Sequence, residues 1–390
     1  MTQSAEHRLA GPVRAQLHRV EDPELRRPIT DLGMVDDVTI DDQDRVKVRL
    51  LLTTGGCPLR DRLTEDVRQV VLAVPGVEAV EVEVGVMSPE QLQALRQSLT
   101  AGADQRDIPF TRPDNLTRVI AVASGKGGVG KSSITANLAC ALAGLGLKVG
   151  LIDADVYGHS IPDLMGIEPG LGPTQVEGLD MILPVTVAGV DVISIGLMKP
   201  ERDQVVAWRG PVVDRSIAQF LTDVYWGDLD FLLIDLPPGT GDVAIGLGQK
   251  LPNAEVLVVT TPQAAATEVA ERAGTMAGIL RQRVIGVIEN MSHLELTCPH
   301  CGRSHRVELF GSGGGQQVSE HLTRRLGYDV PLVAQIPLQE VWRTASDQGT
   351  PLVGSDPEQP AAAALISLAQ LLAGQRRGLA GFKLGLSPVG

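Results

Sequence analysis

The chain has 390 residues, which is enough for two domains, one of them with a substantial core. Its formal net charge of −13 and the lack of a dense run of Lys and Arg argue against nucleic-acid binding. No apolar run approaches the roughly 20 residues that span a bilayer, so we expect a soluble, cytoplasmic protein without membrane attachment. Four cysteines in a chain of this length do not indicate a disulfide scaffold, and two of them lie close together, as metal ligands do.

Residues 1–98 are predicted to form a small separate domain with the element order α-β-β-α-β. Helical spacing of apolar residues indicates the helices, and alternation of apolar and polar residues indicates the strands. The five elements are predicted at residues 13–20, 35–40, 46–53, 63–71 and 80–84. Residues 99–115 are rich in Gly, Asp and Pro, and we expect them to be a linker.

Two fragments of this first domain resemble the small iron–sulfur-assembly domain that is often fused ahead of Mrp-type ATPases. The first is DPE at residues 22–24 followed by DLGMV at residues 31–35, and the second is TTGGCP at residues 53–58. Cys57 comes just before a predicted helix, whose N-terminus would stabilise its thiolate, and a structural cysteine at a strand end is the alternative. Cys140 falls on a later helix, where a buried apolar role is expected.

Residues 116–374 alternate between strand and helix patterns. Runs that are apolar on both faces, joined by helical segments, indicate an α/β fold with a mostly parallel sheet flanked by helices. The strands are predicted at residues 117–124, 148–153, 191–196, 231–236, 255–261, 284–289 and 332–336. Residues 361–372 are predicted to form a packed terminal helix, and residues 375–390 a flexible tail.

A phosphate-binding loop is predicted at residues 124–132, because SGKGGVGKS fits the pattern G-x-x-x-x-G-K-[ST] between a buried strand and a helix. Glycines allow backbone N–H groups to wrap a phosphate, and the helix adds its positive N-terminal end. Lys131 would reach the β- and γ-phosphates, and the hydroxyl of Ser132 would bind Mg²⁺. The predicted ATP-binding residues of the loop are Gly125, Lys126, Gly127, Gly128, Val129, Gly130, Lys131, Ser132 and Ser133.

The loop carries a second lysine, Lys126, directly after its first glycine. The spelling GKGGVGKS resembles the deviant P-loop ATPases, which include the nitrogenase iron protein, the MinD and ParA positioning ATPases, and the Mrp/ApbC iron–sulfur carriers. The resemblance implies that Lys126 reaches the nucleotide of a partner chain during catalysis, and therefore that ATP binding produces a homodimer. A solvated loop lysine is the alternative.

Three acids follow predicted strands, at the edge where α/β sheets bind their ligands. Asp153 and Asp155 come at the end of one strand, where they can hold Mg²⁺ through water and orient the water that attacks the γ-phosphate. In the resembled class, Asp155 matches the acid that activates this water and Asp153 the acid on the magnesium side, and ordinary helix caps are the alternative. Asp235 ends an apolar strand and would hold the Mg²⁺ shell as a Walker B acid.

The loop after Asp235 and a later asparagine narrow the resemblance. Residues 235–242, DLPPGTGD, are similar to the Mrp/ApbC family and less similar to MinD or ParA. Two prolines followed by two glycines suit a loop that senses the γ-phosphate. Asn290 offers a donor and an acceptor to the adenine edge, as the matching asparagine of the family does, and a turn asparagine is the alternative.

Residues 298–302, CPHCG, would place the thiols of Cys298 and Cys301 on one side of a tight turn. Soft thiolates select zinc or an iron–sulfur cluster, but a cubane cluster needs four of them. Two chains that each supply one pair across a two-fold axis would complete the set. Three alternatives stay open: a redox dithiol, no metal, and a single-chain Cys₂His₂ zinc site. The histidines near enough for that zinc site are His293, His300 and His305.

Taken together, residues 117–355 resemble the Mrp/ApbC scaffold ATPases. The resemblance implies that the protein binds a labile [4Fe–4S] cluster in the cytosol and transfers it to apo iron–sulfur proteins, with slow ATP hydrolysis coupled to loading or release. The principal alternative is a positioning ATPase of the MinD or ParA type with a structural zinc knuckle. A second alternative is an ATP-gated reductase similar to the nitrogenase iron protein.

Overall fold

Two compact units make up the chain, residues 1–106 with 174–183 and residues 107–173 with 184–390. The computed structural model describes residues 3–23, 25, 27–53, 60–99, 108–156, 158–176, 179, 181–198 and 210–375. The strands are β1 (Val35–Ile40), β2 (Arg45–Leu52), β3 (Ala79–Val86), β4 (Arg118–Ser124), β5 (Val149–Asp153), β6 (Thr174–Val176), β7 (Met181–Leu183), β8 (Val185–Val187), β9 (Val190–Ser194), β10 (Phe231–Asp235), β11 (Glu255–Thr260), β12 (Arg283–Thr297), β13 (Ser304–Val307) and β14 (Leu332–Leu338). The helices are α1 (Gln3–Leu17), α2 (Arg60–Leu72), α3 (Pro89–Leu99), α4 (Lys131–Gly144), α5 (Ile161–Leu164), α6 (Gly210–Thr222), α7 (Asp242–Lys250), α8 (Ala264–Ile279), α9 (Gly314–Leu326), α10 (Glu340–Asp347), α11 (Leu352–Ser355) and α12 (Pro360–Gly374).

The first unit contains a three-stranded sheet in the order β1-β2-β3, in which β1 is antiparallel and β3 parallel to β2. Val46, Val48 and Leu50 of β2 are buried, whereas Lys47 and Arg49 between them are exposed, so one face of the strand is covered and the other faces water. This is the alternation from which the strand was predicted.

All five elements predicted for residues 1–98 are present, but two details differ from the prediction. Helix α1 spans Gln3–Leu17 rather than residues 13–20, so it both begins and ends earlier than predicted. Helix α3 was not predicted, because its sequence PEQLQALRQSL has few apolar positions to indicate a helix. The predicted linker contains one 3₁₀ turn, Pro109–Thr111, among its described residues.

The second unit contains a nine-stranded sheet in the order β13-β12-β11-β4-β10-β5-β9-β8, with β14 also paired to β12. The pairs formed by β4, β5, β9, β10, β11, β12 and β14 are parallel, whereas β8 and β13 pair antiparallel with their neighbours. The central strands β4, β5 and β10 are buried along nearly their whole length. The predicted α/β fold with a mostly parallel sheet is confirmed.

The register of the parallel strands brings residues from distant parts of the sequence to one edge of the sheet. Asp235 at the end of β10 is level with Asp153 at the end of β5. Asp153 is in turn level with Ser194 at the end of β9. The connection from β4 to α4 leaves the sheet at the same edge, so the phosphate-binding loop and the acids lie together.

Strand β12 is longer than the sequence predicted. The prediction ended the strand at residue 289, whereas it continues to Thr297, and residues 294–297 pair with β13. The prediction stopped at residue 289 because the apolar run ends before Asn290, a polar residue for which a turn was the alternative. Pairing with β13 satisfies the backbone groups of the extension, which therefore stays extended outside the core.

The packed terminal helix predicted at residues 361–372 is confirmed as α12, which packs against α4 and buries Ala361, Leu365, Leu368 and Leu372. Residues 376–390, most of the predicted tail, lie outside the described residues. None of the helices in the described part of the chain has the length and apolar content to cross a bilayer.

Candidate functional site

The loop between β4 and α4 surrounds a pocket of about 260 Å³. Residues 126–133 all line this pocket, together with Asp155 and Pro238. The φ angles of Gly128 and Gly130 are +81° and +80°, a left-handed backbone conformation that favours glycine and that loops which wrap a phosphate use. The structure therefore brings eight of the nine predicted loop residues onto one pocket, and Gly125 is the exception.

Gly125 contributes by its size. A Cβ atom at this position would lie 2.3 Å from the backbone carbon of Val269 in α8, so the close approach of the loop to that helix requires glycine.

The carboxylate of Asp235 is fully buried and holds three donors from α4. The ammonium of Lys131 lies 2.7 Å from Oδ1, the hydroxyl of Ser132 donates to Oδ2 at 2.6 Å, and the hydroxyl of Thr135 lies 2.9 Å from Oδ1. Lys131 is itself only 6 % exposed, so this cation and anion neutralise each other inside the fold. The Ser132 hydroxyl and the Asp235 carboxylate are hard oxygen donors close together, which is the donor set that Mg²⁺ prefers.

Asp155 faces the pocket, whereas Asp153 lies beneath it. Asp155 lines the pocket, and its carboxylate accepts the N–H of Gly158, another lining residue, at 3.0 Å. Asp153 is 1 % exposed and is not among the lining residues. Its Oδ1 accepts the N–H of Asp155 at 3.1 Å, and its Oδ2 accepts the Ser194 hydroxyl at 3.1 Å and the N–H of Ile161 at 3.3 Å.

Burial and, after it, the neighbouring carboxylate of Asp235 raise the pKa of Asp153 to about 7, although Lys131 acts in the opposite direction. The contacts of Asp153 brace the connection that presents Asp155. Its role as a magnesium-side acid stays a prediction.

Thr135 and Ser194 were not predicted from the sequence, although each holds one of the acids. Thr135 lies four residues after Lys131 and therefore on the same face of α4, which is a signal that the sequence does contain. Ser194 carries no such local signal, since it approaches Asp153 only through the pairing of β9 with β5.

Two long-range contacts attach the loop to the rest of the sheet. The N–H of Gly239, in the Pro-Pro-Gly segment after β10, donates to the carbonyl of Ser124 at 2.8 Å. The carboxamide of Asn290 donates to the carbonyl of Val129 at 2.9 Å, and its oxygen accepts the N–H of Met291 at 2.9 Å. Asn290 thus lies against the phosphate loop, and its contact with adenine stays a prediction.

Cys298 and Cys301 occupy the tip of the β12–β13 hairpin. The N–H of Cys298 donates to the carbonyl of Arg303 at 2.8 Å, and the N–H of Gly302 donates to the carbonyl of Cys298 at 2.9 Å. Gly302 has a φ of +65°, which closes the tight turn that was predicted here. Cys298 is half-buried and Cys301 is exposed, so the thiol pair is accessible from outside.

The turn stabilises a thiolate at Cys298. The pKa of Cys298 is lowered because its sulfur accepts the backbone N–H of Cys301, then that of His300, and then the thiol proton of Cys301. Cys140 differs, since burial on α4 raises its pKa to about 12 and its sulfur lies 3.8 Å from that of Met165. Cys57 lies outside the described residues.

The three nearby histidines do not complete a metal site in one chain. Across the described residues, no group of three or more His, Cys, Asp or Glu side chains is arranged to hold a metal ion. His293 instead lies 3.0 Å from the hydroxyl of Ser292 and 3.9 Å from the carboxylate of Glu295. A Cys₂His₂ zinc site built from one chain is therefore not formed in this part of the structure.

Comparison with protein families identifies the fold and the motifs together. The family model described as the NUBPL iron-transfer P-loop NTPase matches residues 115–373, and the model described as an iron-sulfur cluster assembly protein matches residues 12–84. The chain belongs to the NUBPL iron-transfer P-loop NTPase family. The matched range contains the phosphate loop, the three acids, Asn290 and both cysteines of the hairpin.

Individual relatives are similar over nearly the whole chain. A protein of Mycobacterium tuberculosis (strain ATCC 25618 / H37Rv), named iron-sulfur cluster carrier protein, is 52 % identical over 381 residues, which cover 98 % of this chain and 97 % of the relative. The protein of the same name from Bacillus subtilis (strain 168) is 39 % identical over 329 residues, or 84 % of this chain and 88 % of the relative. A solved nucleotide-binding protein from Archaeoglobus fulgidus, in complex with ADP, is 36 % identical and covers 66 % of this chain and 95 % of its own, with a TM-score of 0.52.

These comparisons confirm the family that the loop and the DLPPGTGD segment predicted. The two family models match successive parts of the chain, the iron-sulfur cluster assembly model first and the NTPase model after it. The chain is thus a P-loop NTPase of the iron-transfer branch. The roles of the single residues, from Lys126 to Cys301, rest on the geometry described above and stay predictions.

Proposed function

We propose that the protein is an ATP-dependent carrier of iron–sulfur clusters, which binds a labile [4Fe–4S] cluster between two copies of the chain and delivers it to apo-proteins in the cytoplasm. The observation that carries the proposal is the hairpin tip, where backbone N–H groups stabilise a thiolate at Cys298 beside the exposed Cys301. A thiolate, rather than a thiol, is the form that binds metal. The family and the names of its relatives support the same conclusion.

The number of thiolates supports a shared site. A cubane cluster is held by four cysteine thiolates, and one hairpin supplies two. Two hairpins related by a two-fold axis supply four equivalent ligands without any further cysteine. A cluster held at exposed hairpin tips is reachable by an acceptor protein, which suits a cargo that has to leave.

The pocket supports nucleotide binding and hydrolysis. Backbone N–H groups of residues 126–131 would bind the phosphates, and Lys131 would turn from Asp235 toward them. Ser132 and Asp235 would hold Mg²⁺, which supplies electrostatic stabilisation of the transferring phosphoryl group when bound. Asp155 faces the same pocket and would orient the attacking water, and Lys126 would reach the nucleotide of the second copy.

Counting iron and sulfide tests the proposal. The protein is purified without oxygen, reconstituted with iron and sulfide, and analysed for metal per dimer. We expect about four irons and four sulfides per dimer. A Cys298→Ala/Cys301→Ala variant should lose them, and a Cys140→Ala variant, which removes a thiol away from the hairpin, should keep them. One zinc per chain without iron would contradict the proposal and favour a nucleotide switch with a structural knuckle.

A further inference from the structure

A single strand connects the phosphate loop to the cysteine hairpin. Asn290, in the middle of β12, donates to the Val129 carbonyl of the loop at 2.9 Å. A Cβ on Gly130 would lie 2.3 Å from the Asn290 carboxamide nitrogen, so the two are packed without a gap. The same strand continues to Thr297 and is followed directly by Cys298. A displacement of the loop can therefore reach the thiols through one hydrogen bond and the chain from Asn290 to Cys298.

Strand β12 is interrupted immediately after Asn290. Between its pairs with Ile336 and Leu338 of β14, β12 advances from residue 290 to residue 294 while β14 advances by half as many residues. Residues 291–293 thus form a bulge opposite Pro337, a residue that has no N–H to offer to a ladder. We call this segment the β12 bulge. Smaller register shifts precede it, against β11 between Val284 and Gly286 and against β14 between Val287 and Ile288, whereas the pairing with β13 in the hairpin is continuous.

The bulge contains a left-handed residue that is not glycine. Met291 has a φ of +55°, and the N–H of Met291 is held by the side-chain oxygen of Asn290 at 2.9 Å. Elsewhere among the described residues this backbone region is occupied, outside glycine, by Asp44, Ala188 and Arg281, which lie in turns or just after a helix. A methionine in this conformation inside a strand is unfavourable unless its surroundings impose it.

The strand before the bulge is anchored independently. The buried carboxylate of Glu289 accepts the N–H of Gly315 at 2.5 Å, at the start of α9, and the side-chain amide of Gln335 at 2.7 Å. These two contacts restrain β12 on the N-terminal side of Asn290, so a movement of Asn290 is opposed in that direction. The side with fewer restraints is the exposed hairpin that carries Cys298.

We propose that Asn290 and Met291 are positioning residues that couple the nucleotide loop to the cysteine pair. Asn290 moves with the Val129 carbonyl to which it donates. Met291 transmits this displacement to the hairpin, because a non-glycine residue has only one narrow left-handed region of backbone angles to occupy. Glycine at position 291 would accept many backbone angles and absorb the displacement within the bulge. The inference rests on the proposed carrier function, for which the thiols of Cys298 and Cys301 are the cargo site.

The test measures coupling in the full chain without iron. The alkylation rate of Cys298 by iodoacetamide is followed by peptide mass spectrometry with and without saturating ADP, alongside hydrogen exchange of residues 292–297. ADP is used so that the dimerisation predicted from Lys126 does not contribute, and the mass in solution is recorded in the same samples. In the wild-type chain we expect ADP to change the alkylation rate about fivefold or more, as coupled sites typically do.

Three variants distinguish a positioning role of Asn290 and Met291 from a merely structural one. Met291→Ala keeps the backbone restraint and should retain the effect of ADP, whereas Met291→Gly relaxes it and should reduce the effect below about twofold. Asn290→Asp keeps the acceptor for the Met291 N–H but loses the donor to Val129, and it should behave as Met291→Gly does. It also provides a second reading if Met291→Gly folds poorly.

Several results would overturn the inference: no effect of ADP in the wild-type chain, a full effect in Met291→Gly, or an equal loss in Met291→Ala and Met291→Gly. None of these measurements uses iron. Failure of the carrier function would appear separately, as a chain that couples normally but binds no cluster during reconstitution.

Discussion

Replacing Gly130 by alanine tests the packing of the phosphate loop against Asn290. An alanine at φ +80° carries the left-handed backbone penalty of about 1–2 kcal/mol. Its Cβ would lie 2.3 Å from the Asn290 carboxamide nitrogen, so that side chain must turn away. The buried carbonyl of Val129 then loses its donor, which costs about 1–3 kcal/mol. The two effects together predict a loss of about 2–5 kcal/mol in the free energy of unfolding.

Gly128→Ala is the matched control for this prediction. Gly128 has a φ of +81°, but a Cβ there would meet no atom within 4 Å. It should therefore lose only the backbone contribution of about 1–2 kcal/mol. The assay is urea unfolding of the nucleotide-free protein, followed by tryptophan fluorescence and circular dichroism, with both variants and the wild type measured together. Adding Asn290→Ala to each glycine variant separates the clash from the backbone effect. Only the Gly130→Ala variant contains the collision that Asn290→Ala relieves.

The reasoning would be refuted if Gly130→Ala and Gly128→Ala were destabilised equally. It would also be refuted if Asn290→Ala destabilised the two glycine variants by the same amount, since independent sites are additive within about 0.5 kcal/mol. Either result would mean that the Asn290 side chain does not lie against Gly130. The observed contact between the loop and strand β12 would then not exist in solution.

Three further predictions concern residues around the two sites. Thr135→Val should lower the ATPase rate and Thr135→Ser should retain most of it, because valine lacks and serine keeps the hydroxyl that lies 2.9 Å from the buried carboxylate of Asp235. Steady-state phosphate release measures both variants, and equal rates would contradict this role. At pH 7, Cys298 should react with iodoacetamide much faster than Cys140, because backbone N–H groups lower the pKa of Cys298 whereas burial raises the pKa of Cys140 to about 12. Peptide mass spectrometry measures the alkylation of each thiol, and similar rates would contradict this prediction. Arg118→Met should reduce the free energy of unfolding by about 2–3 kcal/mol, because the nearly buried guanidinium of Arg118 makes charge-assisted hydrogen bonds to Glu255. Arg343→Met removes an exposed ion pair with Asp347 and should change the free energy of unfolding by less than about 0.5 kcal/mol. Urea unfolding compares the two variants, and equal losses would refute the distinction.

The parts of the site that the sequence predicted are local in the chain. The phosphate loop is written in nine consecutive residues, so its glycines, Lys131 and Ser132 follow from spacing alone. Asp235 follows from its position at the end of an apolar strand, because in α/β sheets that edge binds ligands. The thiol pair at Cys298 and Cys301 is equally local, and the structure forms the predicted tight turn around it.

The parts that the sequence did not predict depend on contacts between distant segments. Ser194 reaches Asp153 only because β9 pairs with β5 in one register. Asn290 and Val129 are 161 residues apart in the sequence, and no local pattern predicts the hydrogen bond between them. The extension of β12 to Thr297 was missed because polar residues from Asn290 onward interrupt the apolar run that identifies a buried strand.

Transfer of a cluster to an acceptor tests the carrier function most directly. The reconstituted protein is mixed, without oxygen, with the apo-form of an enzyme that requires a [4Fe–4S] cluster, in the presence of an iron chelator. We expect the acceptor to gain activity while the absorbance of the cluster on the carrier falls in parallel, and we expect the Cys298→Ala/Cys301→Ala variant to transfer nothing. A cluster that stays on the protein, resists the chelator and changes its redox state with ATP would contradict the account and indicate a reductase.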